Sequence, residues 1–265
     1  PRTPPKEPPQ RPKPSPGTPV LVIGSSNYDL VIQSERLPGA GETVLGGEYR
    51  SAPGGKGANQ AVGLHRLGSQ VSFLSRIGRD HYGDEVLAHL EKEGLDLRFL
   101  ERDESLPTGL ALITIDEEGF RSIVVAPGAN RNVLESDVES FLEVSPPGGM
   151  LVTQLEIPAA TVSHLLKLAK RYDKRTLLHA SPAVSDFPKE ALRLVDLLVL
   201  NQTELQHLAG RPAQHMETAA AAAKKLVEAG CGQVLVTLGT RGVLVVRPDE
   251  THFVPGFKLP IEDRN

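Results

Sequence analysis

Short apolar runs, each closed by a glycine or a polar residue and followed by a helix-length amphipathic stretch, recur along this chain. No other feature limits its fold as strongly. The run Val20-Leu21-Val22-Ile23 ends at Gly24, as a buried strand should. Further strands are expected at 71–74, 150–155, 176–178, 197–200 and 234–238, and helices at 57–67, 84–92, 159–170, 203–209 and 217–228. In the first helix Ala58, Ala61, Val62 and His65 share a stripe and Gly68 closes it; Gly94, Gly210 and Gly230 close three others. Strands alternating with helices of this length predict an α/β fold, a mostly parallel sheet with helices on both faces.

Two stretches break the alternation. Residues 42–51 read as a strand with no crossover helix, and 109–115 with 121–126 flank the turn signal Asp116-Glu117-Glu118-Gly119. Alternation puts Ala111, Ile113 and Ile115 on one face of that hairpin. These pieces suit a small accessory sheet beside the main one. Residues 242–246 and 251–254 read as antiparallel strands. The segment 1–19 carries prolines at 1, 4, 5, 8, 9, 12, 14, 16 and 19 among Lys and Arg, and is expected to be a disordered tail outside the fold.

Composition excludes several classes. With 265 residues and a net charge of −4 there is no basic excess to suggest a nucleic-acid or anionic-membrane partner. No apolar run approaches the roughly 18 residues of a membrane span. The single cysteine, Cys231, excludes a disulfide framework or Cys-rich zinc module and fits packing in a reducing compartment, so a cytoplasmic protein is expected, with the nucleus also open. His65 and His179 lack metal-ligand spacing and read as structural.

In open parallel sheets ligands bind beyond the carboxyl ends of the strands. Polar or glycine residues follow four of the expected strands: Ser25, Ser26, Asn27 and Asp29 after the first, Glu156 after 150–155, Asn201 with Glu204 after 197–200, and Gly239, Thr240 and Gly242 after 234–238. Taken singly, each reads as ordinary turn chemistry. The run Gly54-Gly55-Lys56-Gly57-Ala58-Asn59 opens a helix, where free N–H groups can meet an oxygen-rich ligand. Its spacing fits neither a P-loop nor the dinucleotide fingerprint.

Taken together, these blocks resemble the ribokinase branch of the carbohydrate kinases. The matches are Gly24-Ser25-Ser26-Asn27-Tyr28-Asp29, Leu37-Pro38 with Gly41-Glu42-Thr43, Gly54 to Ala61, Gly78-x-Asp80-x-x-Gly83, Thr108-Gly109, Gly128-Ala129-Asn130, Gln154-Leu155-Glu156, Asn201-x-x-Glu204 and Thr237-Leu238-Gly239-x-x-Gly242. The resemblance covers residues 20 to about 263. It implies a three-layer α/β/α domain over 20–265 with a small β-sheet lid at about 30–52 and 108–127, and ATP-dependent phosphorylation of D-ribose to D-ribose 5-phosphate.

The same resemblance implies residue roles. Asn27, Asp29, Gly54, Gly55, Lys56, Asn59 and Glu156 would bind the sugar, with Ala111 and Ile113 as apolar lid contacts. Asn201, Thr237, Gly239 and Gly242 would bind ATP, and Glu204 would place Mg²⁺ through water. Asp263 would belong to a monovalent-cation (K⁺) site. A homodimer through the lid is implied. Two stretches depart from the family pattern: His179-Ala180-Ser181-Pro182-Ala183 stands where the family has Asn-Pro-Ala-Pro-Ala, and Ala52-Pro53 precedes the glycine pair.

The family's Asp-Thr-x-Gly-Ala-Gly-Asp segment would supply the anion hole and the catalytic base. It is not found among these residues, which read Lys258-Leu259-Pro260-Ile261-Glu262-Asp263-Arg264-Asn265 where it is expected. The domain is therefore expected to be incomplete and its turnover impaired, since a base and an anion-hole donor each contribute about 10²-fold or more. A non-catalytic sugar-binding or dimerising module, or a kinase for another sugar or nucleoside, are the alternatives.

Overall fold

The computed structural model describes residues 19–184 and 187–257. In chain order the elements are β1 (Val20–Ile23), β2 (Asn27–Gln33), β3 (Tyr49–Gly54), α1 (Lys56–Arg66), β4 (Val71–Gly78), α2 (His81–Lys92), β5 (Asp96–Asp103), β6 (Gly109–Ile115) and β7 (Arg121–Ala126). There follow α3 (Glu135–Glu143), β8 (Met150–Gln154), α4 (Ala159–Arg171), β9 (Arg175–His179), β10 (Leu197–Asn201), α5 (Gln202–Ala209), α6 (Met216–Glu228), β11 (Val234–Thr237), β12 (Gly242–Val246) and β13 (Thr251–Pro255).

The main sheet has the order β13-β12-β11-β10-β9-β8-β1-β4-β5, parallel except where β12 pairs antiparallel with β11 and β13. Its central strand β1 shows why both faces are covered. Successive side chains point to opposite faces. Leu21 and Ile23 enter a core with α3, α4 and α6, while Val20 and Val22 enter one with α1 and α2. The three-layer α/β/α fold expected from the alternation is the fold observed.

The accessory sheet runs β3-β2-β6-β7. The expected hairpin is present as β6–β7, closed by Asp116 and Gly119, with Ala111 buried and paired with Asp29. The sheet is not simply two hairpins, because β2 and β6 pair in parallel. The expected strand at 42–51 is largely corrected: residues 42–48 form no strand, and pairing begins at Tyr49. Gly39, Gly41, Gly46 and Gly47 break that stretch, and Gly47 N–H turns back to the Gln33 carbonyl at 2.8 Å.

Three elements went unread in the sequence. β2 hides behind the polar residues Asn27 and Asp29, β5 behind its charges, and α3 behind an acidic surface with one apolar stripe, Val138, Phe141 and Leu142. Phe141 meets Phe99 of β5 edge-on, ring centroids 4.6 Å apart. Of the proline-rich segment only Pro19 is described, its carbonyl accepting from Met150 N–H at 3.1 Å; the expected disorder of the remainder lies outside the described residues.

The block Gly78-x-Asp80-x-x-Gly83 is a cap. Asp80 accepts from Gly83 N–H, closing the start of α2, and from the N–H and hydroxyl of Thr108, which fixes where β6 begins.

Candidate functional site

The polar residues picked out after separate strands converge at the carboxyl edge of the main sheet. The loop from β1 to β2 and the loop from β3 to α1 interlock there. Gly55 adopts φ +92°, and a Cβ on it would lie 2.7 Å from Asn27 N, so only glycine fits. Gly54 lies equally close to the Asp29 carboxylate, where a Cβ would fall at 2.3 Å.

Glu156, which follows β8, reaches this junction with its side chain only 8% exposed. It accepts from Ser25 Oγ at 2.6 Å, from Lys56 N–H at 3.0 Å and from Lys56 Nζ at 2.6 Å. Burial pushes its pKa up, but the Lys56 charge and these hydrogen bonds outweigh it and hold the carboxyl below its ordinary value. Asp29 has no such partners among the described residues. Burial, and then the nearby Glu156 charge, raise it to about 6 against the pull of Lys56. One carboxylate of the pair is thus satisfied within the protein, while the other waits for a donor.

Asn27 is buried, its Oδ1 accepting from Asn130 Nδ2 at 2.7 Å. Asn130 also accepts from Ser26 N–H and donates to the carbonyls of Ser26 and Pro127. It staples the β1–β2 loop in place. The Gly128-Ala129-Asn130 block marked it in the sequence, but nothing local told that its partners lie about a hundred residues earlier. Asn59 is exposed on the first turn of α1.

Further along the edge Asn201 and Thr237 are register partners at the ends of β10 and β11. Asn201 Oδ1 accepts from Glu204 N–H and Glu204 Oε2 from Asn201 N–H, both at 2.8 Å, a capping box that starts α5. Thr237 and Gly239 are exposed. Gly242 is buried where β12 meets β13, and a Cβ there would fall 2.1 Å from the Val254 carbonyl oxygen. Asp263 lies outside the described residues.

The donor set can be tested against the groups the resemblance implies. The exposed Thr237 and Gly239, at and just beyond the carboxyl end of β11, leave room for a polyphosphate. Glu204 is a buried carboxylate with one oxygen committed to its cap, and no three His, Cys, Asp or Glu side chains converge among the described residues. That suits a divalent ion held through water and by phosphate oxygens rather than a direct protein cage.

A three-layer α/β/α fold with a small separate sheet, whose strand β2 brings Asn27 and Asp29 to the carboxyl edge of the main sheet, is the architecture of the ribokinase-like class of small-molecule kinases. The comparisons agree. The sequence matches the pfkB family of carbohydrate kinases over residues 18–262. A deoxyribokinase from Salmonella typhi is 32% identical over 92% of this chain and 80% of its own length, and a ribokinase from Haemophilus influenzae is 35% identical over 90% and 78%. The structure of Arabidopsis thaliana ribokinase complexed with ribose and ATP superposes with a TM-score of 0.77 at 30% identity, covering 90% of this chain and 78% of that one. The chain belongs to the pfkB family of carbohydrate kinases, which transfer phosphoryl groups to sugars.

Proposed function

We propose that this chain binds D-ribose and ATP at one strand edge and is built for transfer of the terminal phosphoryl group to the sugar O5. The observation that carries the reading is the contrast between Asp29 and Glu156 in one cradle. A polyol presents several hydroxyl donors, and an unpartnered half-buried carboxylate beside a fully partnered one is an acceptor reserved for them. Asn27 and Asp29 orient the sugar, Gly54, Gly55, Lys56 and Asn59 complete the cradle, and Glu156 holds Lys56 in position against the ring.

ATP supplies the phosphoryl group, with Asn201, Thr237, Gly239 and Gly242 as its site. Mg²⁺ is held near Glu204 through water, and a monovalent cation such as K⁺ at Asp263. The accessory sheet, about 30–52 and 108–127 within a domain spanning 20–265, is a lid that excludes water once sugar is bound. Its outward apolar residues, among them Ile32, Leu112 and Val124, support a homodimer through the lid. The lone buried Cys231 supports a cytoplasmic setting.

The 265 residues hold no Gly-Ala-Gly-Asp run, and no base is assigned. Calorimetry of D-ribose and 2-deoxy-D-ribose, beside ATP-dependent phosphorylation of each, tests the reading. Absence of ribose binding would overturn it. Tighter binding of the deoxy sugar would favour the kinase for another sugar, which the deoxyribokinase relative also suggests. Binding with no turnover at all would favour the non-catalytic module.

A further inference from the structure

His179 ends β9, midway between the sugar cradle and the strand ends that carry Asn201 and Thr237. It is half-buried and belongs to a row of three side chains. Gln154 Nε2 lies 2.5 Å from Gln60 Oε1, and Gln60 Nε2 lies 3.3 Å from His179 Nδ1. The direction of this row decides which ring nitrogen carries the proton.

The buried end of the row fixes that direction. The other polar atom of the Gln154 amide has no hydrogen-bond partner among the described residues and is buried against Gly24, where a Cβ would fall 1.9 Å from it. If that atom is the carbonyl oxygen, one acceptor goes unpaired. If the amide is reversed, two N–H donors are stranded there instead, a larger cost for the same space. Gln154 therefore donates to Gln60, and Gln60 donates to His179. Nδ1 must accept, so the neutral ring carries its proton on Nε2. No hydrogen bond or ion pair among the described residues uses that N–H.

The charged groups around the ring are Lys56 at the start of α1, Glu156 after β8 and Glu204 on α5. Burial and Lys56 depress the ring's pKa and the two carboxylates raise it; burial is the largest influence, and the ring stays below its ordinary value and neutral at pH 7. Both carboxylates already accept from backbone N–H groups.

We propose that His179 Nε2–H is a fixed hydrogen-bond donor to an oxygen of the phosphoryl group in transit between nucleotide and sugar, with Gln60 and Gln154 as the positioning residues that set its tautomer. The proposal rests on the reading of this edge as a phosphoryl-transfer site. It gives His179 a role that its lack of metal-ligand spacing does not suggest. The span between cradle and nucleotide end is the one the phosphoryl group has to cross, and a neutral donor there favours acceptor oxygens.

The test uses the whole 265-residue chain labelled with ¹⁵N in histidine, observed with and without a non-hydrolysable ATP analogue, and calorimetry of that analogue and of ribose. Wild type should show the Nε2–H tautomer at pH 7, with the Nε2 resonance moving when the analogue binds. Gln60→Leu should release the ring to a mixture of tautomers. His179→Ala should weaken the analogue about tenfold and leave ribose affinity within about twofold, while His179→Gln, which keeps a distal N–H, should recover most of the loss. An Nδ1–H tautomer in wild type, or analogue binding with an unmoved Nε2 resonance, overturns the proposal and leaves the kinase reading standing. No binding of the analogue to wild type overturns both.

Discussion

Asp29 holds its carboxyl near pKa 6 because burial and Glu156 oppose its charge, and only Lys56 favours it. An acid whose folded pKa lies above its unfolded value binds more protons in the native state. Its contribution to stability is therefore greatest at low pH and falls as pH rises from about 4 to about 6. Asp29→Asn removes that effect. The variant should be more stable than wild type at pH 7 in urea denaturation, while losing ribose binding about tenfold or more by calorimetry. In wild type, ribose affinity should fall as pH is lowered through about 6, as Asp29 loses its acceptor charge. An unchanged profile between pH 5 and 7 would contradict this assignment.

The Lys56–Glu156 pair has the opposite sign. Glu156 lies below its ordinary pKa, so its contribution is present at neutral pH and lost as pH falls through the folded value. Lys56→Met would leave a carboxylate with 8% exposure facing only Ser25 and a backbone N–H. Because Lys56 itself is a third exposed, the expected destabilisation is roughly 1–3 kcal/mol rather than the full cost of breaking a buried pair, read from urea midpoints at pH 7. The loss should shrink at acidic pH, where Glu156 protonates.

At the scale of elements, loops carry the site and caps hold the loops. Asn130, in the 3-10 turn after β7, accepts from Ser26 N–H and shares its two Nδ2 hydrogens among Asn27 Oδ1 and the carbonyls of Ser26 and Pro127. Asn130→Ala should cost about 2 kcal/mol or more, since it strands Ser26 N–H and Asn27 Oδ1 in the interior. It should also weaken ribose at least tenfold; intact ribose affinity would show that the loop holds itself. Helix α5 was legible because its signals are local: Asn201 and Glu204 three apart at the start and Gly210 at φ +63° at the end. Strand β2 was not, because polar Asn27 and Asp29 interrupt its alternation and its pairing with β6 spans about eighty residues.

At the scale of the molecule, the two cores on either face of β1 leave the accessory sheet with an apolar surface of its own. Leu112 and Val124 are register partners on its outward face and both more than half exposed. If the lid is the dimer contact, Val124→Lys should shift sedimentation toward monomer while ribose binding by the monomer persists. A monomeric wild type at micromolar concentration would remove the dimer from the functional reading.

Residue order alone determined the layers and one wall of the site. The apolar runs, the helical stripes and the glycine stops are local patterns, and the glycine-rich run with its lysine is a local turn into a helix. Which side chains meet was decided only by tertiary structure. Lys56 meets Glu156 across 100 positions, Asn27 meets Asn130 across 103, and Gln60 joins His179 across 119. These contacts follow from β1 lying between β8 and β4, so that separate strand ends share one edge. The sharing also sets the chemistry. Asp29 and Glu156 are alike as residues, and diverge because the fold gives one a lysine, a serine and a backbone N–H, and gives the other no hydrogen-bond partner among the described residues.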